Sequence, residues 1–303
     1  SGYYKIDSSI ASPEEASNGL KVGTLQFVLT IPSDFGSKLL RGEHPSVLLE
    51  ADATDPVTIT LAIASIDAIA NEVLTKDFKG ILASRIPISK PFDVRIHRLY
   101  NPEGINQYNI IPGLMGTVMT MTLTMMTALA VTRERERGTM ENLLSTPARP
   151  LEIITGKIIP YVFIGLLQVT LILAASYFMF HVPFEGLFIN VYIIALLFIS
   201  VNLMIGITIS SLAKNMLQAL QLTIFYFLPS ILLSGFMFPF QGMPSWAQHL
   251  GSLLPLTYFL RLIRGVVLKG NDFIFLWPNI WPLVLILVLM VTLAVKFYKR
   301  TLD

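Results

Sequence analysis

The chain has 303 residues, 53% hydrophobic and 14% charged. Soluble domains carry about 25% charged residues, so a uniformly soluble core is excluded. A net charge of +2 leaves no basic face for nucleic-acid phosphates. Without cysteine there is no disulfide, thiolate metal site or cysteine nucleophile. Mean hydropathy is +0.63, and the apolar residues are concentrated in the second part. Residues 1–109 hold 10 of the 22 Lys and Arg and 13 of the 20 Asp and Glu; residues 110–303 hold the rest across long apolar runs.

Residues 1–109 read as a compact α/β domain. Leu25, Phe27, Leu29 and Ile31 alternate with Thr24, Gln26, Val28 and Thr30, the period of a half-buried strand. Pro32, Ser33 and Asp34 end it and open a short helix to about Arg41. Val47–Asp52 and Phe92–His97 are further strands. Between them Ile59, Ile63, Ile66, Ala70 and Val73 form an apolar helical stripe. That helix is as long as a membrane span, but Asp55, Asp67, Asn71 and Glu72 argue against one. No catalytic constellation is present: His44 and His97 stand alone. Glu14, Glu15, Glu50, Asp52 and Asp55 lack the spacing of an EF-hand.

A spanning helix needs about 20 mainly apolar residues. Five stretches qualify: Ile110–Thr132, Ile158–Phe180, Leu187–Ala213, Met216–Phe238 and Ile280–Tyr298. Lys and Arg in short loops mark the cytoplasmic side. Arg133, Arg135, Arg137, Arg149 and Lys157 follow the first stretch, Lys214 the third, and Lys296, Lys299 and Arg300 the last. Alternation puts all three groups on one side, with residues 1–109 outside. Arg261, Arg264 and Lys269 dissent. The chain opens on Ser1 with no visible signal peptide, so an outer domain is expected to follow an earlier span, giving six in the full protein. The outer connection Pro239–Gly270 is broken by Pro239, Pro244 and Pro255. With Trp246 and Tyr258 at interfacial depth, it reads as short re-entrant or interfacial helices.

The most specific stretch is the cytoplasmic loop 133–157, RERERGTMENLLSTPARPLEIITGK. Arg133, Glu134, Arg135, Glu136 and Arg137 alternate in sign. Gly138 breaks the run, and Thr139 with Glu141 opens an amphipathic piece closed by Pro147 and Pro150. Membrane anchoring explains the arginines but not the acids among them; an elbow of paired charges suits a partner protein. Within the spans, Thr120 and Thr124 of a Thr- and Met-rich first span, with Gln168, Asn202 and Gln221, are uncharged polar groups. They suit interhelical packing or a substrate path, and packing is the favoured reading for the threonines. No Asp, Glu, Lys or Arg lies centrally in a span, which weakens an ion-coupled secondary transporter. A membrane receptor with a ligand-binding outer domain is a further alternative.

Residues 133–147, then Pro150-Leu-Glu-Ile and Gly156-Lys157, resemble the signature of ABC-2-type permeases, the membrane subunits of bacterial ABC exporters. Met243-Pro244, Trp246, Pro255, Tyr258 and Arg261 are similar to the family's segment between its last two spans. Phe27–Phe35 and Ala51–Pro56 are similar to its extracytoplasmic domain. The resemblance implies a six-span subgroup whose first span is absent here. It also implies two permease subunits, as homo- or heterodimer, working with two ATPase subunits that carry ATP and Mg. The coupling segment, centred on Arg133 to Thr139 and Glu141, would seat in the ATPase. A periplasmic adaptor and export of drug-like, lipidic or other amphipathic molecules follow from the same analogy. No G-x-x-x-x-G-K-[ST] loop occurs in this chain: Gly156-Lys157 lacks the earlier glycine and the following hydroxyl residue.

Overall fold

The computed structural model describes residues 12–57, 92–138 and 150–300, most of 59–66, and isolated positions 4, 6, 10 and 69. The chain divides into two compact units, Ser1–Asn109 and Ile110–Asp303.

In the first unit, α1 (Pro13–Val22) is started by Ser12, whose hydroxyl accepts from the Glu15 amide at 3.2 Å. It ends at Gly23 in the left-handed region. Strand β1 (Phe27–Thr30) is followed by α2 (Phe35–Arg41), where Asp34 pairs with Lys38 at 2.6 Å. Strands β2 (Ser46–Asp52) and β3 (Asp93–Leu99) complete a three-stranded sheet in the order β1-β2-β3. β1 runs antiparallel to β2 and β3 parallel to it. A parallel neighbour requires a crossover, and helical residues from Pro56 onward begin one. Ala51, Ala53 and Ile59 form a buried cluster, with Phe27 and Ile63 packed on it. Of the expected apolar stripe, Ile59, Ile63 and Ile66 are helical; Asp67, Ala70, Asn71, Glu72 and Val73 lie outside the described residues.

Tyr100 follows β3 at φ 69°. Burial, reinforced by the charges of Asp52 and Glu50, pushes its phenol up to about 12. The fully buried Asn101 then closes the turn into the next helix. Its amide donates to the Ile105 carbonyl and its oxygen accepts the Ile105 amide, both at 3.0 Å.

The second unit is helical. Among the described residues five helices are long and apolar enough to cross a bilayer, making the chain a polytopic membrane protein: α3 (Asn106–Glu136), α4 (Pro150–Phe178), α5 (Phe188–Leu212), α6 (Met216–Leu233) and α9 (Phe273–Arg300). Two shorter helices, α7 (Ser245–Gly251) and α8 (Pro255–Val267), are bent by 83° to one another. The last span opens at Phe273 rather than Ile280, with Pro278 and Pro282 inside it. Prolines close to a helix start remove few backbone bonds, so they do not mark the boundary that they suggest in the sequence.

α5 is the central helix and packs against α4, α6, α8 and α9. Phe198 on α5 stacks on Phe259 of α8 with centroids 4.1 Å apart. Met115, Met119 and Leu123 of α3 are buried. Two close approaches let α3 reach this core, because a Cβ on Gly116 would meet Leu256 and Phe259, and one on Gly206 would meet Thr124 and Thr127. Small residues at such crossings are what helix association in lipid requires.

At the break between α7 and α8 the Gly251 carbonyl accepts the Leu254 amide at 3.1 Å, and side chains one turn on add further bonds. Thr257 Oγ1 donates to the Gly251 carbonyl at 2.6 Å, and the Tyr258 hydroxyl donates to that of Ser252 at 2.7 Å. This repairs the irregular backbone that a lipid environment would otherwise penalise.

Candidate functional site

The charged run after the first span is not a free loop. α3 continues through Glu136, so Arg133 to Glu136 form its last turn. The Arg137 amide bonds to the Arg133 carbonyl and that of Gly138 to the Arg135 carbonyl, both at 3.1 Å. Gly138 ends the helix with φ 69°, the left-handed geometry that glycine adopts without strain. At the far side, Pro150 is the first residue of α4, and Gly156 and Lys157 already lie within that helix. Thr139 and Glu141 lie outside the described residues.

Three consecutive side chains at this helix end engage three different helices. The Glu134 carboxylate pairs with the Lys157 ammonium on α4. The Arg135 guanidinium donates through Nη2 to the Ser210 carbonyl at 2.7 Å and through Nη1 to that of Ala213 at 3.1 Å. These are carbonyls of the last turn and C-cap of α5. The Glu136 carboxylate accepts the backbone amide of Met216, the first residue of α6, at 2.7 Å.

The signs fit the helix dipoles. A helix C-terminus carries partial negative charge and its N-terminus partial positive charge, each favouring an opposite ion by about 0.3–1 kcal/mol. Arg135 lies at the negative end of α5 and Glu136 at the positive end of α6. The turn between those ends is tight and separately capped. The Asn215 side chain accepts the Gln218 amide at 2.8 Å, and the Gln218 side chain accepts that of Lys214 at 2.7 Å. Arg133 and Arg137 are exposed on the same helix end.

The polar residues of the spans take several positions. Thr120 is fully buried and donates to the Gly116 carbonyl at 2.8 Å. Thr124 is buried beside Asn202, its hydroxyl 3.4 Å from Oδ1, while the Asn202 amide donates to the Phe198 carbonyl at 2.9 Å. The Gln168 amide bonds Thr122 at 3.0 Å, joining α4 to α3. Gln221 is exposed on α6. Thr124 and Asn202 thus meet in the α3–α5 contact, Thr120 is buried on α3, Gln168 ties α4 to α3, and Gln221 stands apart.

Sequence reasoning passed over Ser210, Ala213 and Met216, the backbone partners of Arg135 and Glu136. A signal was present: Asn215 with Gln218 three residues later is a capping signature that fixes the start of α6. Glu14 and Glu15, weighed as cation ligands, stand in the first turn of α1, where acids complement the helix dipole. Among the described residues no group of three or more His, Cys, Asp or Glu is arranged to hold a metal ion.

A bundle of apolar helices cross-tied at one end by charged groups, with a broken helix pair beside its last span, is the architecture of a polytopic membrane protein. The family described as ABC-2 family transporter protein matches residues 1–296; the chain belongs to that family. It is similar to the probable multidrug ABC transporter permease YbhS of Escherichia coli, 31% identical over 98% of this chain and 79% of the relative. The inner membrane transport permease YhhJ of Shigella flexneri is 28% identical over 98% of this chain and 79% of its own length. ABC transporter G family member 20 of Dictyostelium discoideum is 24% identical over 88% of this chain and 36% of its own length. The chain is therefore an ABC permease, the membrane component without an ATPase site of its own.

Proposed function

We propose that this permease is half of the membrane pathway of an exporter in a bacterial inner membrane, driven by a separate ATPase subunit that binds ATP and Mg. The observation that carries the reading is similarity to a probable multidrug permease along almost the whole chain. In this reading the substrate is a drug-like, lipidic or other amphipathic molecule, and a second permease subunit completes the pathway. Residues 1–109 form an extracytoplasmic domain that can receive a periplasmic adaptor, and residues 110–303 form the transmembrane domain. The helix end at Arg133–Gly138, the segment beyond it with Thr139 and Glu141, and the C-terminus face the cytoplasm.

In this reading the exposed Arg133 and Arg137 meet the ATPase, while Glu134, Arg135 and Glu136 hold contacts to α4, α5 and α6. Gln221, exposed on α6, is the candidate path residue best placed to meet a substrate; Thr120, Thr124, Gln168 and Asn202 would reach one only if α3, α4 and α5 separate.

The test is purification of the tagged full-length protein from its own cells in mild detergent. A P-loop ATPase in the purified complex, released by the double charge reversal Arg133→Glu and Arg137→Glu, supports the reading. A permease that purifies alone, with no linked ATP hydrolysis in its membranes, overturns it.

A further inference from the structure

We infer that Arg135 and Glu136 are positioning residues that lock the α5–α6 turn to the end of α3, so that a displacement delivered at this helix end moves α5 and α6 together with it. The inference rests on the permease reading and adds a specific mechanical element to it.

The geometry carries the argument. Adjacent residues on a helix point about 100° apart, so neighbouring side chains ordinarily reach different surroundings. Here both reach one turn, from its two sides. Arg135 takes the Ser210 and Ala213 carbonyls before the turn, and Glu136 takes the Met216 amide after it. The contacts are backbone groups, so they hold the path of the chain rather than one mobile side chain. They are also charge-assisted, hence stronger than neutral hydrogen bonds.

The order Arg then Glu matches the order of the dipole ends, negative for α5 and positive for α6. The reverse order would place like charge at both ends. Anchoring at a membrane surface would be served by the arginine alone. It does not require an acid on the Met216 amide, nor a guanidinium turned back onto helix carbonyls.

The turn carries its own caps from Asn215 and Gln218. It therefore keeps its shape without α3 and can be handled as a rigid piece. Beyond the lock, where α3 ends, Arg137 and the left-handed Gly138 are both exposed. Force entering there meets the Arg135–Glu136 lock within one helical turn.

The experiment uses the absence of native cysteine. Cysteines replacing the exposed Met126 of α3 and the exposed Lys214 carry spin labels in the full-length protein, reconstituted in lipid nanodiscs. Electron–electron distance measurements on the permease alone should give one narrow distribution in the parent. They should give a broadened distribution in Arg135→Ala, Glu136→Gln and the order-swapped Arg135→Glu/Glu136→Arg pair. With the ATPase bound, trapping by ATP, Mg and vanadate should leave the parent distance unchanged.

Parent-like distributions in the swapped pair overturn the inference, as does a shift of the parent distance on trapping. If the alanine and swapped variants do not yield monodisperse protein, Arg135→Lys and Glu136→Gln decide. Both weaken the contacts while retaining bonding atoms, and a parent-like distribution in both overturns the lock. The nucleotide-free measurement needs no ATPase, so failure of the lock is distinguishable from failure of the exporter reading.

Discussion

Gly206 of α5 and Thr127 of α3 meet so closely that a methyl group on the glycine would stand 2.8 Å from the threonine Cβ. The same methyl would be 2.8 Å from the Thr124 carbonyl oxygen. Two of the three nearest atoms belong to the α3 backbone, which no rotamer change can move aside. Gly206→Ala should therefore push α3 and α5 apart and cost about 1–3 kcal/mol, as overpacking does. A thermal melt of the detergent-solubilised protein checks this, and an unchanged midpoint contradicts the packing.

The junction of α7 and α8 offers a second test. Thr257 is buried and its hydroxyl satisfies the Gly251 carbonyl. Thr257→Val keeps the shape and removes that bond while the Leu254 amide still serves the carbonyl at 3.1 Å, a loss of about 0.5–1.5 kcal/mol. Tyr258→Phe removes a bond to Ser252 from a less buried ring and should cost less. If the two variants melt in the opposite order, the side-chain repair of this break is wrong.

Tyr100 gives the protein a limit in alkali. Its phenol is pushed up to about 12 in the folded chain from an ordinary value of about 10. A raised folded value means that the folded chain holds its proton longer than the unfolded one. That contribution to stability is complete below pH ~10 and lost as pH climbs toward ~12. Tyr100→Phe, which cannot ionise, should flatten the decline in that window and leave stability at neutral pH little changed. Melting curves across the window read it directly, and parallel declines in parent and variant would refute the assignment.

The proposed orientation predicts opposite labelling of two exposed sites. Ser33→Cys in the first unit should react in intact cells with a maleimide that does not cross the cytoplasmic membrane. Lys214→Cys on the α5–α6 turn should react only after the membrane is opened. Reaction of Lys214→Cys in intact cells would reverse the topology.

The five apolar stretches were legible because twenty-residue runs of Leu, Ile, Val and Phe have few alternatives. Their ends were less so. Asn106 begins the first span four residues before Ile110, and Phe273 begins the last, whose early Pro278 looks like a boundary in the sequence and is accommodated inside. The strands at Ser46–Asp52 and Asp93–Leu99 were readable from alternation. Helix α1 was passed over although Ser12, Pro13 and Glu15 spell its start, because its residues are mostly polar and short of a full apolar stripe.

The charged run shows the other limit. Its alternation of sign is visible in one dimension, but its partners Ser210, Ala213 and Met216 lie more than seventy residues away and take part through backbone atoms. Backbone groups carry no residue signature, so only the fold reveals them. The same holds for Thr124 and Asn202, polar groups whose role depends on which helix stands opposite.

The three contacts of Glu134, Arg135 and Glu136 also set how much the first span can change in length. Inserting a single residue between Leu123 and Arg133 would turn the helix end by about 100° and advance it by about 1.5 Å, carrying all three side chains off their partners at once. Substitution at the exposed Met121 or Met126 has no such effect. In this stretch of α3 the residue count is constrained more tightly than the residue identities, and insertions or deletions there should be far rarer than replacements among functional variants.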